Sequence, residues 1–359
     1  MARKRATSQE VAREAGVSRT TVSLVLNDAP GSGIPESTRR RVLQAANRLN
    51  YYPNATGRRL VSGRTFTLAF VLHQNPERAA ADLFLPEVLH GLGDSVRPAN
   101  YHVLFHPVDP EDDEDGYAYL IHEGHVDGII LSGPQLEETE ALELHRQRLP
   151  IVTNGRLPGH SIPFVDADNY LGAQMATNHL ISLDHRRIGL ITNAPLTYVS
   201  ARERYRGYQD ALLAADLIYD PELVELGFFT SESGYSAMNR LVDLADRPTA
   251  VFVASDVVAI GAMHAARARG LQIPQDMAIV GFDDVSIARF VEPQLSTVRL
   301  PAYELGWQVG QLALRLVNQD WPGERGHLMT PELVVRASCG ADEKARQTTP
   351  SSSNNSSRR

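Results

Sequence analysis

The sequence predicts a small all-α head followed by a large α/β body in two lobes. Three observations carry this. Helical patterning ends near Tyr52, and apolar runs alternating with amphipathic segments begin at Phe66. Charge divides at the same place. Residues 1–63 hold eleven Arg or Lys against four Asp or Glu, a net +7, and the remainder nets −15 within a chain total of −8. A body of about 275 residues is long for a single sheet, so two lobes are expected.

The head reads as three short helices. Thr7 and Glu10 form a T-x-x-E capping box, each satisfying a backbone N–H of the other's turn. Val11, Ala12 and Ala15 give the first helix an apolar stripe. Gly16 can take the left-handed conformation that ends it. Ser18 is a second N-cap, opening a helix from Arg19 to Leu26 whose inner face is Val22, Val25 and Leu26. Helix, short turn and helix in this order form a helix-turn-helix. A third helix runs from about Pro35 to Leu49, with Val42, Ala45, Ala46 and Leu49 on one face. Pro53 breaks it. The basic stretch that follows reads as a linker. A basic head on an acidic body is the footprint of a DNA-binding domain joined to something else.

Apolar runs at Phe66–Leu72, His102–Phe105, Gly128–Leu131, Ile151–Thr153, Ile188–Ile191, Ala250–Ala254, Ala278–Phe282 and Leu333–Val335 predict strands. Amphipathic segments such as Tyr170–Leu183 and Val257–Arg269 separate them, which implies parallel sheets covered by helices. The domains expected are 1–52 for the head, 53–63 for the linker, 64–340 for the body and 341–359 for a disordered Ser/Asn/Thr-rich tail.

The composition, 43% hydrophobic and 22% charged, is that of a globular protein. The single cysteine, Cys339, has no partner for an internal disulfide, as expected of a reducing compartment. No apolar run follows the basic N-terminus and none approaches the roughly 18 residues of a membrane span, so a cytoplasmic protein with no membrane partner is expected. His122-Glu-Gly-His125 lacks the i, i+4 spacing of a zinc protease helix. The acidic run Glu111 to Asp115 lacks the ligand spacing of a calcium loop. Neither a nucleophile elbow nor a phosphate-binding lysine loop is found. No enzyme activity, metal or cofactor is therefore expected.

The run from Glu10 to Asn27, which reads A-x-x-A-G-V-S-x-x-T-V-S-x-x-L-N from Ala12, resembles the LacI/GalR (lactose/galactose repressor) family of bacterial regulators. Ser37 to Val42 and Leu49 to Asn54 extend the likeness. In the body His179-Leu180, His185 to Ile188, Arg204 to Gly207, Phe252 to Asp256 and Val280 to Asp284 are of the family's type. The resemblance implies a helix-turn-helix head, a hinge helix, and a core like periplasmic sugar-binding proteins. That core has a ligand cleft between its lobes and dimerises side by side. The N-lobe is expected at about 64–166 and 298–326, the C-lobe at about 167–297 and 327–340. It implies a sequence-specific DNA-binding transcription regulator, a repressor, controlled by a small-molecule effector such as a sugar or related polyol. Its partners would be a pseudo-palindromic operator in double-stranded DNA, the effector, and a second copy of the chain. The alternatives are a solute-binding protein or a sugar-metabolising enzyme on the same α/β core.

In a helix-turn-helix the N-terminal side chains of the second helix meet base edges. Here these are Arg19, suited to guanine O6 and N7, and Thr20. The resemblance adds Leu24, which offers only apolar contact. Ser18, Ser23 and Asn27 are placed for phosphates. The resemblance also implies that Leu60 is wedged into the minor groove, flanked by Arg58 and Arg59. Gly57 departs from the alanine common in relatives and weakens that helix.

Ligands of open α/β sheets bind outside the carboxyl ends of the strands. The effector-site candidates are His73, Gln74, Asn154, Arg156, Phe229, Ser255, Asp256 and Asp283, with Arg204 at the start of a helix. The resemblance singles out Arg204 and Asp283. One donates and the other accepts, as vicinal hydroxyls require. Phe229 can stack on a sugar ring.

Overall fold

Thr7 opens α1 (Ser8–Ala15): its hydroxyl accepts the Glu10 amide, and the Glu10 carboxylate accepts the Thr7 amide at 2.7 Å. Gly16 closes the helix at φ 64°, a conformation without steric cost only for glycine. Ser18 Oγ then accepts the Thr21 amide at 3.0 Å and starts α2 (Arg19–Leu26). The third helix, α3, spans Glu36–Arg48. Val11, Ala12, Ala15, Val22, Val25, Val42, Ala45 and Ala46 form the head's core. These side chains are all small, so the three helices approach closely. The computed structural model describes residues 6–26, 32–52, 63–109, 116–321 and 326–341. It separates into two units, Met1–Phe66 and Thr67–Arg359.

The second unit begins with β1 (Thr67–His73), α4 (Pro76–Ala81), α5 (Leu85–Val96), β2 (His102–Val108), α6 (Tyr119–His122), β3 (Gly128–Ser132), α7 (Thr139–Arg146), β4 (Ile151–Asn154) and β5 (Phe164–Ala167). The C-lobe elements are α8 (Asn169–Ser182), β6 (Ile188–Ile191), α9 (Val199–Ala214), β7 (Val224–Glu225), α10 (Ser231–Asp243), β8 (Ala250–Val253), α11 (Asp256–Ala268), β9 (Ala278–Asp283) and β10 (Ser296–Arg299). The chain then returns through α12 (Ala302–Val317) and β11 (Gly326–Met329) and ends with β12 (Glu332–Val334).

Two six-stranded sheets result, ordered β11-β5-β4-β3-β1-β2 and β12-β10-β9-β8-β6-β7. Every pairing is parallel except β10 with β12. In each sheet the strand order reverses beside its first strand, β1 or β6. That switch point opens a crevice at the carboxyl ends. The central strands are buried on both faces and so read as unbroken apolar runs, Leu68 to Val71 and Ile129 to Leu131 among them.

Several expectations are corrected. Phe66 has φ 54° and stands outside the first strand, which begins at Thr67. The lobe limits shift. β11 pairs with β5 in the N-lobe sheet, so 327–329 do not belong to the C-lobe. Val298 and Arg299 lie in β10 of the C-lobe sheet, not in the N-lobe. Strands β5, β7, β10 and β11 had no apolar run to signal them. In β10 the buried Ser296 and Thr297 are held by hydroxyl bonds to Cys339 Sγ and Asp256 rather than by apolar packing. The linker 53–62 and the tail from 342 fall outside the described residues.

Candidate functional site

The exposed face of α2 carries Arg19 and Thr20, with the half-buried Ser23 and Leu24 one turn on. Val22 and Val25 face the opposite way, into the core. The helical period therefore sorts the predicted base-reading side chains onto one continuous surface. Ser18 is exposed, and its oxygen caps α2 as well as touching Thr21 Oγ1 at 2.9 Å. Asn27, Gly57, Arg58, Arg59 and Leu60 lie outside the described residues.

The second candidate site is a cavity of about 130 Å³ between the carboxyl ends of the two sheets. Gln74, Ser132, Asn154 and Asp166 reach it from the N-lobe, and Asn193, Arg204, Ser255 and Asp283 from the C-lobe. Phe84 and Phe229 add aromatic surface. Arg204 is the hub. Its guanidinium lies over the Phe282 ring at 3.9 Å, donates to Asn169 Oδ1 at 2.9 Å and to the Ala254 carbonyl at 2.6 Å, and stands 3.7 Å from Asp283. Burial pulls it below its usual range, while Asp283, Asp166, Asp256 and Asp82 pull the other way.

The carboxylates crowd around this one cation. Burial pushes Asp283 up to about 7, against the opposing charge of Arg204. Burial likewise lifts Asp166 to about 6, although the Arg156 amide donates to it at 2.9 Å and Asn169 Nδ2 at 3.1 Å. Asp82 is also raised by burial, despite amide donors from Phe84 at 2.8 Å and Leu85 at 3.2 Å. Removing a carboxylate from water penalises its charged form, and here one guanidinium serves several acids.

Six of the nine predicted effector residues line the cavity: Gln74, Asn154, Arg204, Phe229, Ser255 and Asp283. Three do not. His73 turns the other way, and its Nδ1 lies 3.1 Å from the buried Glu138. Its carbonyl accepts the Tyr198 hydroxyl at 2.7 Å, which ties the lobes together. Arg156 is exposed and lies over Phe164 at 5.8 Å. Asp256 is wholly buried beneath the cavity, where Oδ1 accepts the Thr297 hydroxyl at 2.6 Å and Oδ2 the Val285 amide at 3.0 Å. Its neighbour Ser255 faces the cavity because the two flank the strand-to-helix turn. Sequence reasoning missed Asp82, Asp166, Asn169, Asn193 and Ser200. Of these, Asn193 follows the end of β6, a strand the sequence predicted, and was in principle findable, whereas Asp166 lies within β5, which no apolar run signalled. Among the described residues no group of three or more His, Cys, Asp or Glu could hold a metal ion.

Residues 7–54 match the model of the bacterial regulatory proteins of the lacI family, and residues 177–339 match a periplasmic binding protein-like domain. The chain is 33% identical to the HTH-type transcriptional regulator CelR of Thermobifida fusca over 339 residues, 94% of this chain and 99% of that protein. It is 33% identical to the HTH-type transcriptional repressor CytR of Escherichia coli strain K12 over 338 residues, 94% and 97% of the two chains. Among solved structures, a CelR–cellobiose complex superposes with a TM-score of 0.71 at 32% identity, covering 93% of this chain and all of that one. The lac repressor dimer bound to operator and the anti-inducer ONPF superposes with a TM-score of 0.81 at 25% identity, covering 93% and 99%.

Proposed function

The chain belongs to the lacI family of bacterial regulatory proteins and is a DNA-binding transcription regulator, and from that premise we propose that a sugar or related polyol held between its lobes sets its grip on a two-fold operator. The observation that carries this reading is the cavity, where Arg204 and Asp283 place a donor beside an acceptor in a lining that also includes Phe84 and Phe229. It acts in the cytoplasm as a homodimer and not as an enzyme. One head reads a half-site, so a pseudo-palindromic operator needs two.

Arg19 and Thr20 read bases, Leu24 meets a thymine methyl, and Ser18, Ser23 and Asn27 hold phosphates. Arg58 and Arg59 add phosphate contacts beside the wedge at Leu60. Gly57 weakens that hinge helix by about 1 kcal/mol relative to alanine. In the core the lobes meet directly. Besides Tyr198 and His73, the Leu136 amide donates to Thr197 at 2.8 Å and the Val199 amide to Pro134 at 3.1 Å. A ligand filling the cavity shifts the balance between lobe arrangements only as far as it binds them with different affinity.

The test is operator affinity by fluorescence anisotropy, on a site selected from random duplexes, for the wild type and Asp283→Ala. Each is measured with and without a panel of sugars and nucleosides. A wild-type change of about 5–150-fold is expected with the cognate ligand. Asp283→Ala keeps ligand-free DNA binding and loses the response. A full response in Asp283→Ala removes the cavity from the switch. Light scattering is expected to report a dimer, and a stable tetramer opposes the assembly proposed.

A further inference from the structure

We propose that the cavity admits only donor-rich ligands without negative charge, so that the effector is a neutral or amino-bearing sugar and sugar phosphates and uronates are excluded. This rests on the reading of the cavity as the effector site and narrows it.

The inventory of the walls is lopsided. Among the described lining residues Arg204 is the one cation, and Asp82, Asp166 and Asp283 are carboxylic acids. The guanidinium is already engaged by Asn169, by the Ala254 carbonyl and by Asp283. Its Nε and Nη1 groups are thus directed at protein partners, which leaves the Nη2 N–H groups as its donors to a ligand, short of the open, bidentate fork that best meets a phosphate. A phosphate or carboxylate entering here would face three acids and one partly satisfied cation.

Two further acceptors are idle. The amide oxygens of Gln74 and Asn193 are buried without a hydrogen-bond partner, and both residues are only 4% exposed. Buried polar atoms left unpaired are costly, and these two line the same cavity. Gln74 belongs to the N-lobe and Asn193 to the C-lobe, so a ligand donating to both would bridge the lobes. Hydroxyl and ammonium groups are donors, whereas an ionised phosphate brings only acceptors. Burial already raises all three lining acids, so an anion placed among them must either meet their charge or drive them further towards protonation, a penalty that a neutral ligand avoids.

Asp82 is the selective element that sequence reasoning missed. The Phe84 and Leu85 amides fix its carboxylate at the cavity wall, on the lobe opposite Asp283. An anion lying between the lobes is thus opposed from both sides, and an ammonium group is attracted from both.

The test uses the full chain and matched hexoses and β-linked hexobioses in four forms: neutral, 2-amino, 6-phosphate and 6-carboxylate. Binding is read by calorimetry and thermal shift. The neutral or amino form of one skeleton is expected to bind, with its phosphate and acid forms weaker by on the order of 100-fold. In Asp82→Asn, folded by circular dichroism, the gap between neutral and anionic forms should narrow by about tenfold. An anionic form that binds the wild type as tightly as its neutral parent, and is lost in Asp283→Ala, overturns the charge inference and leaves the effector site standing. A gap unchanged in Asp82→Asn overturns the role of Asp82. If no form of any sugar binds, the sugar reading of the cavity falls and this inference with it.

Discussion

Replacing Asp256 with alanine removes the two acceptors that hold the Thr297 hydroxyl at 2.6 Å and the Val285 amide at 3.0 Å, in a place with no exposure to water. A buried donor left unsatisfied costs about 1–3 kcal/mol, so the pair costs about 2–6 kcal/mol. For a unit of this size each kcal/mol lowers the melting temperature by about 2–4 °C. A mid-range loss of about 4 kcal/mol then appears as a drop of about 8–16 °C. Asp283→Asn is the matched control. It removes a carboxyl from the same cluster, but one that faces the cavity and is crowded by other acids. It should melt within about 2 °C of the wild type or above it, while losing the effector response. Both are measured by scanning calorimetry on ligand-free protein at pH 7.5. If Asp256→Ala melts like the wild type and loses only the effector response, Asp256 is a ligand contact and its placement beneath the cavity is wrong.

Because Asp283 titrates near 7 in the fold against 3.8 for the free side chain, the native state holds a proton that the unfolded chain releases. Stability from this group is present below the unfolded value and falls as pH rises through 7. Wild type should therefore gain stability relative to Asp283→Asn between pH 8 and pH 5 in urea titrations, and a flat difference opposes the shift. Effector affinity should weaken over the same descent, since the proton occupies an acceptor oxygen. Arg19→Ala should cost about 1–3 kcal/mol of operator affinity and relax one symmetric pair of positions in a randomised-operator selection. An unchanged preferred site would mean that another face of α2 enters the groove. Tyr198→Phe deletes the hydroxyl bond to the His73 carbonyl without altering the cavity lining. It should change the ratio of operator affinities with and without effector, leaving effector affinity within about tenfold for a single bond of roughly 0.5–1.5 kcal/mol. An unchanged ratio removes that contact from the switch.

The head and the alternation of the core were legible because their determinants are local. A capping box, a left-handed glycine and an i, i+3, i+4 stripe act within one or two turns, and α1, α2 and α3 begin and end within a residue or so of where those signals place them. The fully buried strands announced themselves as apolar runs. The edge strand β11 did not, nor did β10, whose buried hydroxyls need Asp256 and Cys339 from distant parts of the chain.

In the cavity the sequence by itself pointed to the walls supplied at the ends of β1, β4, β8 and β9, because parallel strands bring their carboxyl ends together. It could not decide which of two adjacent side chains faces inward. His73 and Gln74 are neighbours, yet one supports the lobe-to-lobe bond through its carbonyl and the other lines the cavity. Ser255 and Asp256 divide in the same way between cavity and core. Successive side chains at a strand end point to opposite sides, so a one-residue difference exchanges a ligand contact for a structural one. Asp82 enters the site from a loop beyond α4 rather than from a strand end. Only the packing of the lobes brings that carboxylate and Asp283 to the same guanidinium.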